Sequence, residues 1–200
     1  MKPILESWRK YLTEEAIEDL SNSGLYLDNN FIVIYDYMPM RAYIKRSVYE
    51  DPDEYDIEKY IKGIARLGYR EKRFTVEEIW AEQGYGPTLY RIAIEQSGES
   101  GLSPSIIRGQ VSDEASKVWE NFYDGKGKEF VRHEPIENKI HNKPWLDSIY
   151  YATDKRVDKE KAIQNHQKIF SKEKDPYEEL QTHLIESAAF KLTAEMEKLD

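Results

Sequence analysis

A turn with two glycines stands between a strand-like and a helix-like segment, and its residue types suit the binding of an anion. The turn, Gly84-Tyr85-Gly86-Pro87-Thr88, follows the apolar run 74–80 and precedes the run 89–96. Glycine lets the backbone turn tightly and approach a ligand, and the first N–H groups of a helix lack internal partners and carry partial positive charge. We therefore expect phosphate or pyrophosphate to bind here. The N–H donors would come from Gly84, Tyr85, Gly86, Thr88 and Leu89.

This turn matches neither of the two best-known phosphate-binding fingerprints. Leu89 stands where a dinucleotide-binding motif has its third glycine. No Lys-Ser or Lys-Thr pair follows, as a P-loop would require. Because Gly-x-Gly turns before helices are common, an ordinary connecting loop stays open as the alternative.

Three glutamates near the end of the strand-like segment are candidates for a general base. Glu77, Glu78 and Glu82 lie on or just after that segment. Side chains alternate along a strand, so Glu77 and Glu78 are predicted to face opposite sides. The predicted side of Glu78 is the more apolar one, with Phe74, Val76 and Trp80. Burial on that side would raise the pKa of Glu78. Glu78 and Glu82 are therefore the candidate general bases. The alternative is that both are ordinary exposed glutamates of a strand.

The sequence offers no thiol chemistry and no metal-ligand pattern. It contains no cysteine and four histidines, of which His133 and His141 are too widely spaced to form a local pair. The acidic stretch 51–54 lacks the glycine and the final glutamate of an EF-hand loop. We therefore expect no disulfide, no cysteine nucleophile and no metal site.

The elements that must position the glycine turn begin with a predicted helix over 4–20, ended by Gly24. The runs 31–37 and 41–48 are predicted to be two antiparallel strands. Asp51-Pro52 is typical of a helix start, and that helix should continue through Ile64 and end at Gly68. Residues 69–80 are then the strand that leads into the turn.

The second half of the chain is predicted to complete an α+β core and to add a helical extension. A helix over 89–96, a strand over 106–111, a helix capped by Ser112, and strands over 128–133 and 148–152 follow in order. From Thr153 onward charged residues and glutamine dominate, and Asp175-Pro176 begins a last helix. We therefore divide the chain into a core domain, 1–152, and a charged helical extension, 153–200.

Charge and hydropathy exclude several classes of protein. The net charge of −9 argues against a general nucleic-acid binder, which usually carries a basic face. The apolar runs are too short for a membrane-spanning helix, and residues 1–12 lack the apolar region of a secretory signal. The apolar fraction of 40%, with 15 tyrosines, still permits a core. We therefore expect a soluble intracellular protein.

Three segments together resemble the acyl-coenzyme A binding core of GNAT-type N-acetyltransferases. Residues 83–95, with Gly84-Tyr85-Gly86-Pro87, resemble the pyrophosphate loop and helix of that family. Residues 109–119 resemble its next strand-helix unit, and residues 143–147, with Pro144-Trp145, lie near the end of the core. The combination covers about residues 70–150 and is similar to a divergent group of GNAT-like proteins of large tailed bacteriophages.

The resemblance implies a GNAT-like fold, in which helices flank a central mixed, mostly antiparallel sheet. It also implies acetyl-coenzyme A as cofactor, with its pyrophosphate on the glycine turn and its pantetheine arm beside Trp80, Ala81 and Glu82. Gln83 completes the implied cofactor site. A substrate amine would then attack the thioester directly, without a covalent enzyme intermediate.

The chain departs from the family pattern at two positions. Ala81 stands where the loop usually has Arg or Gln, and Gln83 is displaced from that position by two residues. Trp119 stands where the tyrosine general acid of the family is expected, and Tyr123 lies one helical turn further on. Tyr123 is therefore the remaining candidate for the acid.

Two functions and one processing event stay open. The chain is either a phage-encoded N-acetyltransferase that acts on an unidentified amine, or a non-catalytic relative. The latter would bind a virion component or a host factor through residues 1–20 or 153–200. Ile4-Leu5-Glu6 also resembles sites cut by phage head proteases, which would make the N-terminus a packaging tag. The expected location is the host cytoplasm or the virion.

Overall fold

A computed structural model describes residue 17 and residues 19–47, 57–105, 111–170 and 175–197. The strands are β1 (Ser23–Leu27), β2 (Phe31–Asp36), β3 (Ile61–Arg70), β4 (Arg73–Ala81), β5 (Leu102–Ser103), β6 (Val131–Pro135) and β7 (Ser148–Ala152). The helices are α1 (Tyr37–Ser47), α2 (Tyr85–Gln96), α3 (Asp113–Tyr123), α4 (Glu160–Phe170) and α5 (Asp175–Glu197). Short 3₁₀ turns lie at Ile57–Tyr60 and Gly98–Ser100.

One sheet contains these strands in the order β1-β2-β3-β4-β5-β7-β6. Neighbours pair antiparallel except β4 and β5, which are parallel. A parallel pair needs a crossover connection, and α2 provides it. The predicted fold class is confirmed, because the sheet is mixed, mostly antiparallel and flanked by helices, with a helix at the C-terminal side. This architecture is consistent with a GNAT-like fold.

Apolar residues cover both faces of the sheet, so the sheet separates two cores. On one face α2 and α3 bury residues such as Leu89 and Trp119, in what we call the α2 core. On the other face α1 and α5 form the α5 core, where α5 contributes a stripe at every fourth residue: Leu180, Leu184, Ala188 and Leu192. The helices of 153–200 thus pack on the sheet, and the domain division after residue 152 stays a prediction.

Two elements predicted for the first half are wrong. The predicted strand 41–48 falls in helix α1, because Met40, Tyr43 and Ile44 have helical spacing and are all buried. The predicted helix through Ile64 is a 3₁₀ turn followed by β3, which also contains Gly68. Since β3 lies between the two cores, its apolar residues do not alternate and resemble a helical stripe. The start of that helix, 51–56, lies outside the described residues.

The strand predicted over 69–80 is in fact the two strands β3 and β4, joined by a tight hairpin. Glu71 and Lys72 form the turn with φ values of 51° and 65°. Turns of this type usually contain Asn or Gly, so neither residue signals a hairpin in the sequence. Gly24, predicted to end a helix, lies inside β1, a strand that was not predicted from the sequence.

The predictions for the second half of the chain agree better with the structure. Ser112 caps α3, and its Oγ accepts the N–H of Ala115 at 3.2 Å. The predicted ranges of β7 and α5 are confirmed, while β6 begins at Val131 rather than at residue 128. Most of the predicted helix 4–20 and of the predicted strand 106–111 lies outside the described residues. Ile17, Asp19 and Leu20 of the former are described and are not helical.

Candidate functional site

The glycine turn joins β4 to α2, as the sequence predicted. β4 ends at Ala81, and Gly84 caps α2 with a φ of 81°, a value that favours glycine. The Tyr85 N–H donates to the Glu82 carbonyl at 3.1 Å, which closes the turn. The N-terminal end of α2 therefore meets the C-terminal end of β4, and this is an arrangement that suits an anion.

Two small residues allow α2 to lie close to the sheet. Gly63 of β3 pairs with Ala81 of β4. A Cβ atom on Gly63 would come within 2.6 Å of Leu89 Cδ1, and Leu89 is fully buried. Gly63 therefore sets how closely the first turn of α2 approaches β3 and β4. The role of Gly63 could not be predicted from the sequence, because it follows only from the strand register.

The predicted donors of the turn differ in accessibility. A Cβ atom on Gly86 would have no neighbour within 4 Å, and the N–H of this residue lies in the first helical turn, where no intrahelical acceptor exists. Thr88 and Leu89 are 1% and 0% exposed, and by position their N–H groups face helix carbonyls. Gly84 is buried, whereas Tyr85 is partly exposed and Gln83 is exposed. Among the predicted donors, Gly86 therefore combines a partly exposed position with an N–H group in the first helical turn, whereas the Tyr85 N–H already donates to the Glu82 carbonyl.

Strand β4 continues beyond its pairing with β5 toward the glycine turn. Parallel pairing covers only Phe74 and Thr75 of β4. From Val76 to Ala81, no strand in the described part of the chain pairs with this edge. The continuation of the chain after Ser105, residues 106–110, lies outside the described residues. The Ala81 side chain lies in the α2 core, and Trp80 lies on the opposite face, with Lys191 Nζ 4.1 Å from its ring centroid.

A β-bulge changes the predicted faces of the glutamates. The β3–β4 register shifts at Glu77, which is the extra residue. Val76, before the bulge, contacts the α2 core, whereas Trp80, after it, contacts the α5 core. The prediction that Glu78 shares one face with both is therefore wrong, because alternation counted through a bulge fails by one residue. Glu78 lies on the side of Trp80.

The glutamates of β4 are held in ion pairs rather than on an apolar surface. Glu78 lies 2.8 Å from Arg66, and its side chain is 30% exposed. Glu77 lies 3.1 Å from Arg70. Glu77 and Glu78 are therefore ion-pair partners of two arginines on β3.

Glu82 belongs to a charged cluster beside the turn. Lys62 Nζ lies 2.7 Å from Glu82 and 3.3 Å from Asp36. Burial tends to lower the pKa of Lys62, but the hydrogen bond to Glu82 and the charges of both carboxylates outweigh it, so its net shift is upward. Burial and the charge of Asp36 raise the pKa of Tyr85. Lys62 and Asp36 could not be predicted from the sequence, because only the strand pairing brings them to Glu82.

The candidate general acid, Tyr123, lies on α3 and not on the elements that form the glycine turn. Tyr123 is near the end of α3 and stacks on His133 of β6, with ring centroids 4.4 Å apart. Trp119 is 1% exposed and packs against Tyr90 of α2 at 4.9 Å. The structure thus assigns Trp119 to the α2 core and places Tyr123 against β6.

The third segment of the resemblance packs on the second. Trp145 Nε1 donates to Ser116 Oγ of α3 at 3.0 Å. Asp147 accepts the N–H groups of Ile140 and His141 at 2.8 and 2.9 Å. Burial alone would raise the pKa of Asp147, but these hydrogen bonds outweigh it and the net shift is downward. Asp147 therefore organises the loop between β6 and β7.

The chain has also been compared with known proteins. No protein-family model, curated protein or solved structure matches it. The relationship to GNAT-type proteins and to phages therefore stays a prediction from the sequence.

The described residues contain no group of three or more His, Cys, Asp or Glu side chains that could hold a metal ion. In the same part of the chain, no helix has both the length and the apolar character needed to cross a membrane.

Proposed function

We propose that the chain is a phage-encoded, GNAT-like N-acyltransferase that uses acetyl-coenzyme A. The observation that carries this proposal is the β4 edge from Val76 to Ala81, which no described strand covers and which ends at the glycine turn. The edge offers backbone hydrogen bonds to the amides of an extended pantetheine arm. The turn offers the N-terminal end of α2 to the pyrophosphate.

Transfer would require an amine near the end of β4. Its nitrogen attacks the thioester carbonyl, a C–N bond forms, the C–S bond breaks, and the coenzyme leaves as a thiol. An ammonium substrate must first lose a proton. Glu82 is the better placed of the two candidate bases, because it follows β4 directly and its side chain is 41% exposed. Asp36 and Glu82 carry two negative charges against the one positive charge of Lys62, and this excess favours the approach of a cationic amine.

A non-catalytic protein on the same fold is the second candidate. It is favoured by the buried position of Trp119, where the family has its acid, and by the stacking of Tyr123 on His133. Such a protein would act in the virion or on a host factor, through residues 1–20 or 153–200.

Calorimetric titration with acetyl-coenzyme A tests the coenzyme site, with Gly86→Glu as the blocking variant and Gly86→Ala as its matched control. Because an added side chain at Gly86 meets open space, both variants should fold. We expect micromolar binding by the wild type and by Gly86→Ala. In Gly86→Glu the introduced carboxylate repels the pyrophosphate, so affinity should fall about 100-fold or more.

Other outcomes separate the two candidates. Absence of binding to the folded wild type at millimolar coenzyme would contradict the acyltransferase and favour the non-catalytic protein. Equal binding by wild type and Gly86→Glu would place the coenzyme elsewhere on the molecule.

A further inference from the structure

The backbone of Ile17 contacts both ends of the first turn of α2. The Ile17 N–H donates to the Gly84 carbonyl at 3.2 Å. The Thr88 hydroxyl donates to the Ile17 carbonyl at 2.6 Å. Thr88 is 1% exposed, and Leu20, three residues after Ile17, is fully buried in the α2 core. We call this pair of hydrogen bonds the Ile17 clamp.

The clamp fixes one peptide unit of the glycine turn from both sides. The Gly84 carbonyl and the Tyr85 N–H belong to the same planar peptide. The carbonyl accepts from Ile17, and the N–H donates to Glu82 at 3.1 Å. With both polar atoms held, this peptide cannot rotate freely about the flexible Gly84. The next peptide, which carries the Gly86 N–H, follows from this one with helical torsion angles, because Tyr85 is the first residue of α2.

We propose that Thr88 is a positioning residue, which acts through Ile17 to hold the glycine turn in the conformation that binds an anion. This inference rests on the proposed function, because it concerns the same turn. A donor held in place before binding loses less entropy on binding. Docking of Ile17 and occupancy of the turn therefore strengthen each other, and the coupling is reciprocal.

Thr88→Val and Thr88→Ser test this coupling. Valine matches the shape of threonine but cannot donate to the Ile17 carbonyl, whereas serine keeps the hydroxyl. The probes are inorganic pyrophosphate and acetyl-coenzyme A, titrated by calorimetry. We expect Thr88→Val to bind both probes about tenfold more weakly, since one buried hydrogen bond is lost, and Thr88→Ser to bind nearly as well as the wild type.

Amide hydrogen exchange at Ile17 supplies a readout that a purely structural role of Thr88 would not change. Pyrophosphate should slow exchange at Ile17 in the wild type and have less effect in Thr88→Val. If Thr88→Val folds poorly, the response of wild-type Ile17 to pyrophosphate still tests the coupling.

Three results would overturn the inference. Equal affinity of wild type and Thr88→Val, or faster exchange at Ile17 with pyrophosphate, contradicts the coupling but leaves the coenzyme site intact. No binding of either probe to the wild type contradicts the proposed function, and the coupling with it. These results are distinguishable, because only the last one removes binding from the wild type.

Discussion

At the scale of single residues, two glycines near the candidate site have opposite surroundings. Gly63 lies beneath Leu89, where an added Cβ atom would be 2.6 Å from Leu89 Cδ1, and Gly86 lies in open space. One glycine is thus required by packing, and the other is free to change without a steric conflict.

We predict that Gly63→Val lowers the free energy of unfolding by about 1–3 kcal/mol, because it overpacks the contact between β3 and α2. Gly86→Ala is the matched control and should raise it by up to about 1 kcal/mol, because alanine favours the helix. Urea denaturation measures both changes. If Gly63→Val leaves the free energy of unfolding unchanged, the prediction is contradicted, and α2 can shift away from the sheet at little cost in free energy.

One buried side chain, a histidine of α4, has a pKa that differs between the folded and the unfolded protein. His166 of α4 has its Nδ1 3.0 Å from the Tyr35 hydroxyl, and its ring packs near Tyr26 and Phe170. Burial lowers the pKa of His166 to about 4. The folded protein therefore holds this imidazole neutral at pH values where the unfolded chain protonates it.

The sign of the pH effect follows from this difference. Below about pH 6.5 the unfolded chain binds a proton at His166 that the folded chain does not bind until about pH 4. Between these values the free energy of unfolding should fall with decreasing pH by up to about 1.4 kcal/mol per pH unit from this residue. His166→Gln should reduce that slope relative to the wild type. Urea denaturation at several pH values measures it, and an unchanged slope in His166→Gln contradicts the assignment.

At the scale of elements, the β3–β4 hairpin carries backbone strain. Glu71 and Lys72 both have positive φ, where residues with a side chain are disfavoured. The hairpin sets the pairing of Gly63 with Ala81 and so the position of the candidate site.

We predict that Lys72→Gly raises the free energy of unfolding by about 1 kcal/mol, because glycine accepts this conformation. The variant keeps the contact between Glu71 and Arg73 at 3.0 Å. Lys72→Ala is the control, since it removes the same side chain and keeps the strain. Thermal and urea unfolding should therefore separate the two variants, and equal stability would show that the turn is not strained.

At the scale of the whole molecule, the C-terminal helices complete the fold. α5 buries Leu184, Ala188 and Leu192 in the α5 core, together with Ile61 and Ile64 of β3. Lys191 of α5 donates to the Glu58 carbonyl at 2.8 Å. Glu95 of α2 accepts the N–H of Val157 at 2.7 Å and also binds Lys159, which ties the segment before α4 to the α2 side.

We predict that deletion of 153–200 exposes the apolar face of β2 and β3 and abolishes cooperative unfolding of the remainder. The reason is that both faces of these strands are buried in the complete fold. Calorimetry and dye binding by exposed apolar surface measure the result. A cooperatively folded 1–152 fragment would instead support the division of the chain into two domains.

Features that depend on local chemistry could be predicted from the sequence alone. Glycine at positive φ, the Ser112 cap and the four-residue spacing in α5 are properties of short segments. They located the glycine turn, α3 and α5, and the α+β class followed from the order of the later elements. The resemblance added a cofactor, which the calorimetric titrations test, and a reaction, which stays a prediction.

Contacts between residues far apart in the chain became apparent only in the folded structure. β3 lies between two cores and so lacks the alternation that marks a strand, and the Glu71-Lys72 turn lacks the usual residues. The bulge at Glu77 sets the face of Glu78. The contacts of Lys62 with Asp36 and Glu82, and of Ile17 with the glycine turn, join separate parts of the chain. Register and long-range packing fix these contacts, and no local pattern of residue types encodes them.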